Sequence, residues 1–251
     1  MSRIKHLVKL IIMQVWAWIR PSKNSKLLYY HDIFLKESYK SLDSDIRMGT
    51  SIEIFKKHLA VIKKEGYCIV SKITKDKGEV AIMLDDGFRG IWDNRQFFYD
   101  NQIKPTVFLA VELIGKEGFL REQEILELQE HGFIFECHSW SHCRLDKMGE
   151  EELYRELKES KVYLENILKR PVEQMCLPIG YYSDLLLEQL NKYGYKEVYS
   201  SVSGDYKELV NGCMRTRNLC QFATPCEVKL ILRGGGNALR PREENMFYTK
   251  S

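Results

Sequence analysis

This chain lacks several features, and each absence narrows what it can be. It has no run of about 20 uninterrupted apolar residues, the length a helix needs to cross a bilayer. Only 6 prolines and 16 glycines occur in 251 residues, and no Pro/Gly/Ser-rich linker divides the chain after residue 26. With 44% hydrophobic and 29% charged residues, this excludes a disordered, collagenous or low-complexity protein. No internal repeat occurs. The seven cysteines, at positions 68, 137, 143, 176, 213, 220 and 226, form no Cys-x-x-Cys pair, and their number is odd. Neither a zinc ribbon nor a disulfide framework is indicated, and reduced thiols point to the cytoplasm.

Acidic side chains are absent from residues 1–26, which carry Arg3, Lys5, Lys9, Arg20, Lys23 and Lys26. The overall charge of +3 therefore divides into a basic tag and a mildly acidic remainder of net −3. That remainder is no nucleic-acid binder. Within the tag, Leu7–Ile19 is an apolar run of thirteen residues interrupted by Lys9 and Gln14. Arg20-Pro21-Ser22-Lys23 follows it, with no small-x-small cleavage site of the kind that ends a secretory signal. Three readings stay open. One is an interfacial helix making peripheral membrane contact through residues 4–20, with Trp16 and Trp18 at headgroup depth. The others are a helix packed on the body and an uncleaved signal-anchor. The expected location is the cytoplasm, with the inner face of the membrane as the place to which such a helix would bind. The chain divides accordingly into 1–25, a basic amphipathic segment, and 26–251, one domain.

Short apolar runs read as buried strands at Lys26–Tyr30, Gly66–Val70, Val80–Leu84, Thr106–Val111, Phe133–Cys137, Val172–Leu177 and Val198–Val202. Amphipathic stretches fall between several of them: Ser51–Lys64 with Thr50 or Ser51 as cap, Arg121–Glu130, Glu150–Lys169 and Leu185–Tyr193. About seven strands alternating with helices predict an α/β fold, a distorted (β/α) barrel of parallel strands. Such barrels gather their chemistry at the C-terminal ends of the strands.

Two predicted strands end in chemistry. Val80–Leu84 runs into Asp85-Asp86-Gly87, a pair of adjacent carboxylates that repel each other and need a compensating cation or a shared proton. A turn with a helix cap is the plain alternative, since Asp-Gly favours turns. Phe133–Cys137 runs into His138-Ser139-Trp140-Ser141-His142, two imidazoles four residues apart that can reach one metal. One added carboxylate makes an Asp/His₂ set with coordination positions left open. Cys137 should face away from His138 and belong to the core.

Together, Leu84-Asp85-Asp86-Gly87 and His138-Ser139-Trp140-Ser141-His142 resemble the motifs of the polysaccharide deacetylase family (carbohydrate esterase family 4). The resemblance implies Asp85 as general base and Asp86, His138 and His142 as ligands of a divalent metal, most suitably Zn²⁺, with Co²⁺ or Ni²⁺ also accommodated. It implies de-N-acetylation of an N-acetylhexosamine in a bacterial-type surface polysaccharide or its lipid-linked precursor. Hydrolysis of a formyl or cyclic amide on the same fold, or non-catalytic glycan binding, are the alternatives. Three departures matter. Many members supply the acid from a late Leu-x-His, but no histidine follows His142. Of the remaining histidines, His6 lies in the tag, His58 mid-helix among lysines and His131 at a surface turn. His31, ending Leu27-Leu28-Tyr29-Tyr30, resembles the start of exopolysaccharide (poly-N-acetylglucosamine-type) deacetylases, whose motif order is permuted. It is therefore assigned as the acid, paired with a carboxylate such as Asp32 or another from the site. The Arg-x-Pro-aromatic motif appears as Cys176-Leu177-Pro178-Ile179, without its arginine. The Ile179 backbone N–H is then the oxyanion donor, and Tyr181 and Tyr182 either stack on a sugar or line the core. Arg215 or Arg217 are candidates for the missing arginine, although surface exposure is the ordinary fate of such residues.

Overall fold

Apolar runs that can be buried on both faces become the parallel strands of one sheet. The computed structural model describes residues 3–35 and 49–250. Lys26–Tyr30 (β1) is followed by Asp32–Phe34 (β2) and Gly49–Ser51 (β3), which pair with each other as a separate two-stranded sheet. Next come Cys68–Val70 (β4), Glu79–Leu84 (β5), Thr106–Leu109 (β6), Ile134–Cys137 (β7), Gln174–Cys176 (β8) and Glu197–Tyr199 (β9). Three two-residue strands close the series: Leu209–Val210 (β10), Met214–Arg215 (β11) and Asn218–Leu219 (β12). They lie in the order β10-β11-β9-β8-β7-β6-β5-β1-β12. β4 pairs with Glu79–Ala81 of β5, and β6 takes over at Met83 and Leu84. Only β10–β11 is antiparallel. The path does not close, so this is an open barrel of the kind the alternation predicts, with all seven expected strands in it. The last three strands went unread because two residues show no periodicity.

Helices cover the outer face: Arg3–Ile19 (α1), Ile52–Lys64 (α2), Gly90–Asp93 (α3), Arg95–Asp100 (α4), Glu122–Glu130 (α5), Glu150–Leu153 (α6), Ser160–Leu168 (α7), Asp184–Lys192 (α8), Pro225–Leu232 (α9) and Arg240–Phe247 (α10). Ser51 caps α2, its Oγ accepting from the Ile54 N–H at 3.4 Å. The stretch read as one helix over Glu150–Lys169 is broken by a π-helical turn at Tyr154–Glu159. His58 lies within α2, as read. It is buried, with Nδ1 3.2 Å from the Tyr30 hydroxyl and Nε2 2.9 Å from the Ala223 carbonyl.

The two-residue period of the strands sorts their side chains. Leu28, Tyr30, Val80, Ile82, Leu84 and Phe135 face the helices and form the main core. Leu27, Tyr29, Ala81, Met83, Phe108, Cys176 and Tyr199 fill the barrel interior. Carried one step past the strand ends, that alternation sends Asp85 and His31 inward, after Met83 and Tyr29.

At the other end of the barrel, Lys26 is no part of an exposed tag. It is 1% exposed and ion-paired with Asp205, itself 2% exposed. Asp205 also accepts from Ser22 Oγ at 3.0 Å and Asn24 Nδ2 at 2.6 Å. One carboxylate thus joins the start of β1 to the loop before β10. Removing one member of a buried pair strands the other charge, at a cost of about 3–5 kcal/mol. Asp205→Ala should lower stability by that amount, read as a urea midpoint, and Lys26→Met in the same chain should restore most of it.

Candidate active site

The chemistry sits where the strand C-termini meet. Asp85 is 3% exposed and its backbone N–H donates to the Tyr30 carbonyl at 2.9 Å, continuing the β1–β5 ladder. Its carboxylate is held by Arg217, with Nη1 donating to Oδ1 at 2.8 Å and Nη2 to Oδ2 at 2.9 Å. Arg217 is 0% exposed. Its Nε donates to the Ser200 carbonyl at 3.0 Å, and its guanidinium lies 4.1 Å from the centroid of the Tyr29 ring. Two-point pairing with a planar fork offsets the large desolvation cost of placing both charges inside the barrel. Burial alone would push the Asp85 carboxyl up, but the charge of Arg217 and its hydrogen bonds hold it below the ordinary carboxylate value. Of the two candidate arginines, it is therefore Arg217 and not Arg215 that meets Asp85. Arg215 is turned away, 3.8 Å from Glu197.

Asp86 leaves the strand in the left-handed region at φ 71°, followed by Gly87 at φ 78°. A Cβ on Gly87 would lie 2.7 Å from Leu109 Cδ2, so only glycine fits there without movement. The turn aims Asp86 at the histidines, with Oδ1 3.2 Å from His138 Nε2 and 2.9 Å from His142 Nε2. His138 Nδ1 donates to the Cys176 carbonyl at 2.8 Å. A neutral ring with its proton spent there presents a lone pair at Nε2 towards Asp86 Oδ1, which is buried and lacks a hydrogen-bond donor. Lone pairs converging in this way fit a cation between them. One ligand atom from each of Asp86, His138 and His142 lies within 4.8 Å of the others. Asp85, His138 and Cys176 also cluster, but the Arg217 guanidinium lies against Asp85 and burial pushes the Cys176 thiol up, so a cation suits this second set less well. Cys137 lies on the helix side, its Sγ 3.3 Å from Ser160 Oγ.

The loop carrying both histidines is pinned by a residue that sequence reasoning missed. Glu156, 5% exposed, accepts from the Trp140 and Ser141 N–H groups at 3.0 Å each and from Ser141 Oγ at 2.7 Å. It projects from the π-helical turn, and such turns recur at functional sites. Ser139 at φ 69° and His142 at φ 60° are held in the left-handed region, the His142 N–H donating to Ser139 Oγ at 3.1 Å. Nothing in the sequence marked Glu156, because helical periodicity gives no sign of an inserted residue.

His31 lies beside this centre, and its charge acts on both Asp85 and Asp86. The pairing with Asp32 is not made: His31 Nδ1 and Asp32 Oδ1 are both buried without a hydrogen-bond partner among the described residues. Asp32 turns instead to the backbone of Gly90 and Ile33, and burial raises its carboxyl to about 7. Ile179 is at the rim, 51% exposed, with φ 61°, a strained setting for a β-branched residue. Tyr182 is core, 4% exposed and packed on Tyr248. Tyr181 is half-buried, and the Arg144 guanidinium lies 3.6 Å from its ring centroid. Stacking on a sugar would have to use the other face of that ring.

Comparison with known proteins follows the geometry. The polysaccharide deacetylase family model matches residues 72–198, just over half of the chain. That span includes Asp85, Asp86, His138 and His142 but neither His31 nor Arg217. YxkH of Bacillus subtilis (strain 168), named as a polysaccharide deacetylase, is 26% identical over 196 residues, which is 72% of this chain. The match spans 66% of that relative, just under two thirds of its length. The Streptococcus pyogenes deacetylase PplD in complex with acetate superimposes with TM-score 0.70 at 21% identity, over 85% of this chain and 98% of that one. IcaB from Ammonifex degensii gives TM-score 0.70 at 18% identity, over 84% and 97%. These structural likenesses carry the fold.

Glu156 touches no ligand atom, yet it holds the loop that places two of them. Supporting groups of this kind are worth about 10–100-fold in metal affinity. Glu156→Ala should weaken Zn²⁺ binding by that factor in calorimetric titration while the melting temperature of the metal-free protein changes little.

Proposed function

The chain belongs to the polysaccharide deacetylase family, and on that premise we propose that it is a metal-dependent hydrolase. Its reaction would be the removal of acetyl groups from N-acetylhexosamine residues of a bacterial-type surface polysaccharide or its lipid-linked precursor. The observation that carries this reading is the Asp85–Arg217 pair set against Asp86, His138 and His142. Glycan binding alone has no use for a buried carboxylate tied beside a cation site.

Asp86, His138 and His142 would hold the divalent cation, which supplies a Lewis acid for the acetamide carbonyl and makes water acidic enough to be deprotonated near neutral pH. Asp85 takes that proton. Its two oxygens each keep lone-pair capacity beyond the bond from Arg217, and the guanidinium keeps the group ionised. Arg217 also fixes the direction of the carboxylate, since its own fork is gripped by the Ser200 carbonyl. The Ile179 N–H is proposed to meet the developing oxyanion at the rim. His31 gives the departing amine its proton, and its unpartnered Nδ1 leaves the ring free to turn towards substrate.

The activity itself is tested by incubating the metal-loaded protein with N-acetylglucosamine oligomers and assaying free acetate. Release of formate from an N-formyl sugar, with no acetate from the oligomers, would instead place it among amidases of another specificity. His31→Ala should leave metal content unchanged and reduce turnover about 10²–10⁴-fold. The base carries a pH signature. Because the Asp85 carboxyl titrates below its ordinary value of about 3.9, it remains a base as pH falls to that point and is lost only below it. Arg217→Met removes the largest lowering influence while burial stays, so the acid limb of kcat should move up by at least about one pH unit, measured at saturating metal. An unmoved limb would show that Asp85 is not the group being titrated.

A further inference from the structure

The first helix is apolar on the side that faces away from the protein. Ile4, Leu7, Ile11, Val15 and Trp18 recur every three or four residues and are 75%, 58%, 54%, 47% and 79% exposed. Of the sixteen large hydrophobic side chains exposed among the described residues, eight lie on α1. The opposite side is already used: Met13 at 1% and Ala17 at 7% exposure pack against α9 and the turn Gly235–Ala238. That contact is close, since a Cβ on Gly235 would lie 2.7 Å from the Met13 carbonyl oxygen. Beyond the helix, the Ser22 N–H donates to the Arg233 carbonyl at 3.0 Å. The outward stripe is therefore a ridge that none of the described residues covers.

We propose that this stripe is a docking surface for an anionic lipid membrane, on which α1 lies in the plane of the interface. Charge selects the partner. The helix and its exit carry the exposed cations Lys5, Arg20 and Lys23, with no Asp or Glu in residues 1–26. Acidic headgroups attract such a segment, while a second copy of it would be repelled. No helix of the described residues is long and apolar enough to cross a membrane, and 17 residues with an exposed tryptophan near one end suit interfacial burial. On its packed side, His6, Lys9 and Met13 of α1 wall a cavity of 330 Å³ that also touches Tyr29. The docking does not rest on the deacetylase reading.

The test is sedimentation of the full chain with vesicles of pure phosphatidylcholine and with vesicles containing one third phosphatidylglycerol. The wild-type protein should pellet with the anionic vesicles, shift its tryptophan emission to the blue and be released by high salt. Ile11→Gln/Val15→Gln/Trp18→Gln should stay in the supernatant with a melting temperature close to that of the wild type, since these side chains are 54%, 47% and 79% exposed. Lys5→Ser/Arg20→Ser should bind roughly 30-fold more weakly. Wild-type protein that fails to pellet, or a triple variant that pellets equally well, overturns the proposal. A concentration-dependent dimer abolished by the triple variant, with no vesicle binding, assigns the stripe to a second copy and also overturns it. Acetate release from a soluble oligomer is read separately, so loss of docking and loss of the deacetylase reading are distinguishable.

Discussion

A carboxylate and a guanidinium buried together inside the barrel are the constraint on which the rest of this structure depends. Neither Asp85 nor Arg217 could occupy its position alone, because an isolated charge in that interior would be far too costly. The pair is made between the end of β5 and the segment linking β11 to β12, 132 residues apart. It therefore ties the middle of the chain to its last strands. Tyr29 and Phe108 line the space around the guanidinium, at 4.1 Å and 5.7 Å from their ring centroids. The barrel stays open between β12 and β10, yet its interior is closed electrostatically at this point.

Around that pair the backbone departs from ordinary conformations. Asp86, Ser139, His142 and Ile179 all have positive φ, and each such residue costs of order 1 kcal/mol or more. Three of them lie in the loops that present Asp86, His138 and His142 to one another. The strain is sustained by fixed partners: Glu156 under the histidine loop, the Cys176 carbonyl on His138 and the close Gly87–Leu109 approach under Asp86. Opposite this rim, the Lys26–Asp205 pair closes the floor without any such distortion. Rigidity at the base and strain at the mouth are what a site held ready for a cation and a substrate requires.

Much of this was legible in the residues. The seven apolar runs, the helix cap at Ser51 and the inward turn of Asp85 follow from periodicity and alternation, which are local properties. That a carboxylate should join His138 and His142 followed from the two motifs standing at strand ends, where a barrel collects its chemistry; that it is Asp86 came from the family resemblance. His58 lies mid-helix as read, but the lysines around it give no sign that its own face of α2 points at Tyr30. His31 does not meet Asp32, its neighbour in the chain, because adjacent residues in extended backbone point apart.

By itself, then, the sequence determined the strands, the parallel order expected of alternating elements and the residue types at the site, because burial patterns and strand ends are encoded within a few residues. Only the tertiary structure decided which arginine meets Asp85. Arg215 and Arg217 share the same parity along the segment, and the choice rests on where β11 and β12 bring the chain relative to β1 and β5. The same holds for Glu156, which reaches the histidine loop from 14 residues beyond His142 through a π-helical turn with no signature of its own. It holds also for α1, whose two faces are both apolar in sequence. Packing against Gly235 buries one of them and leaves the other exposed.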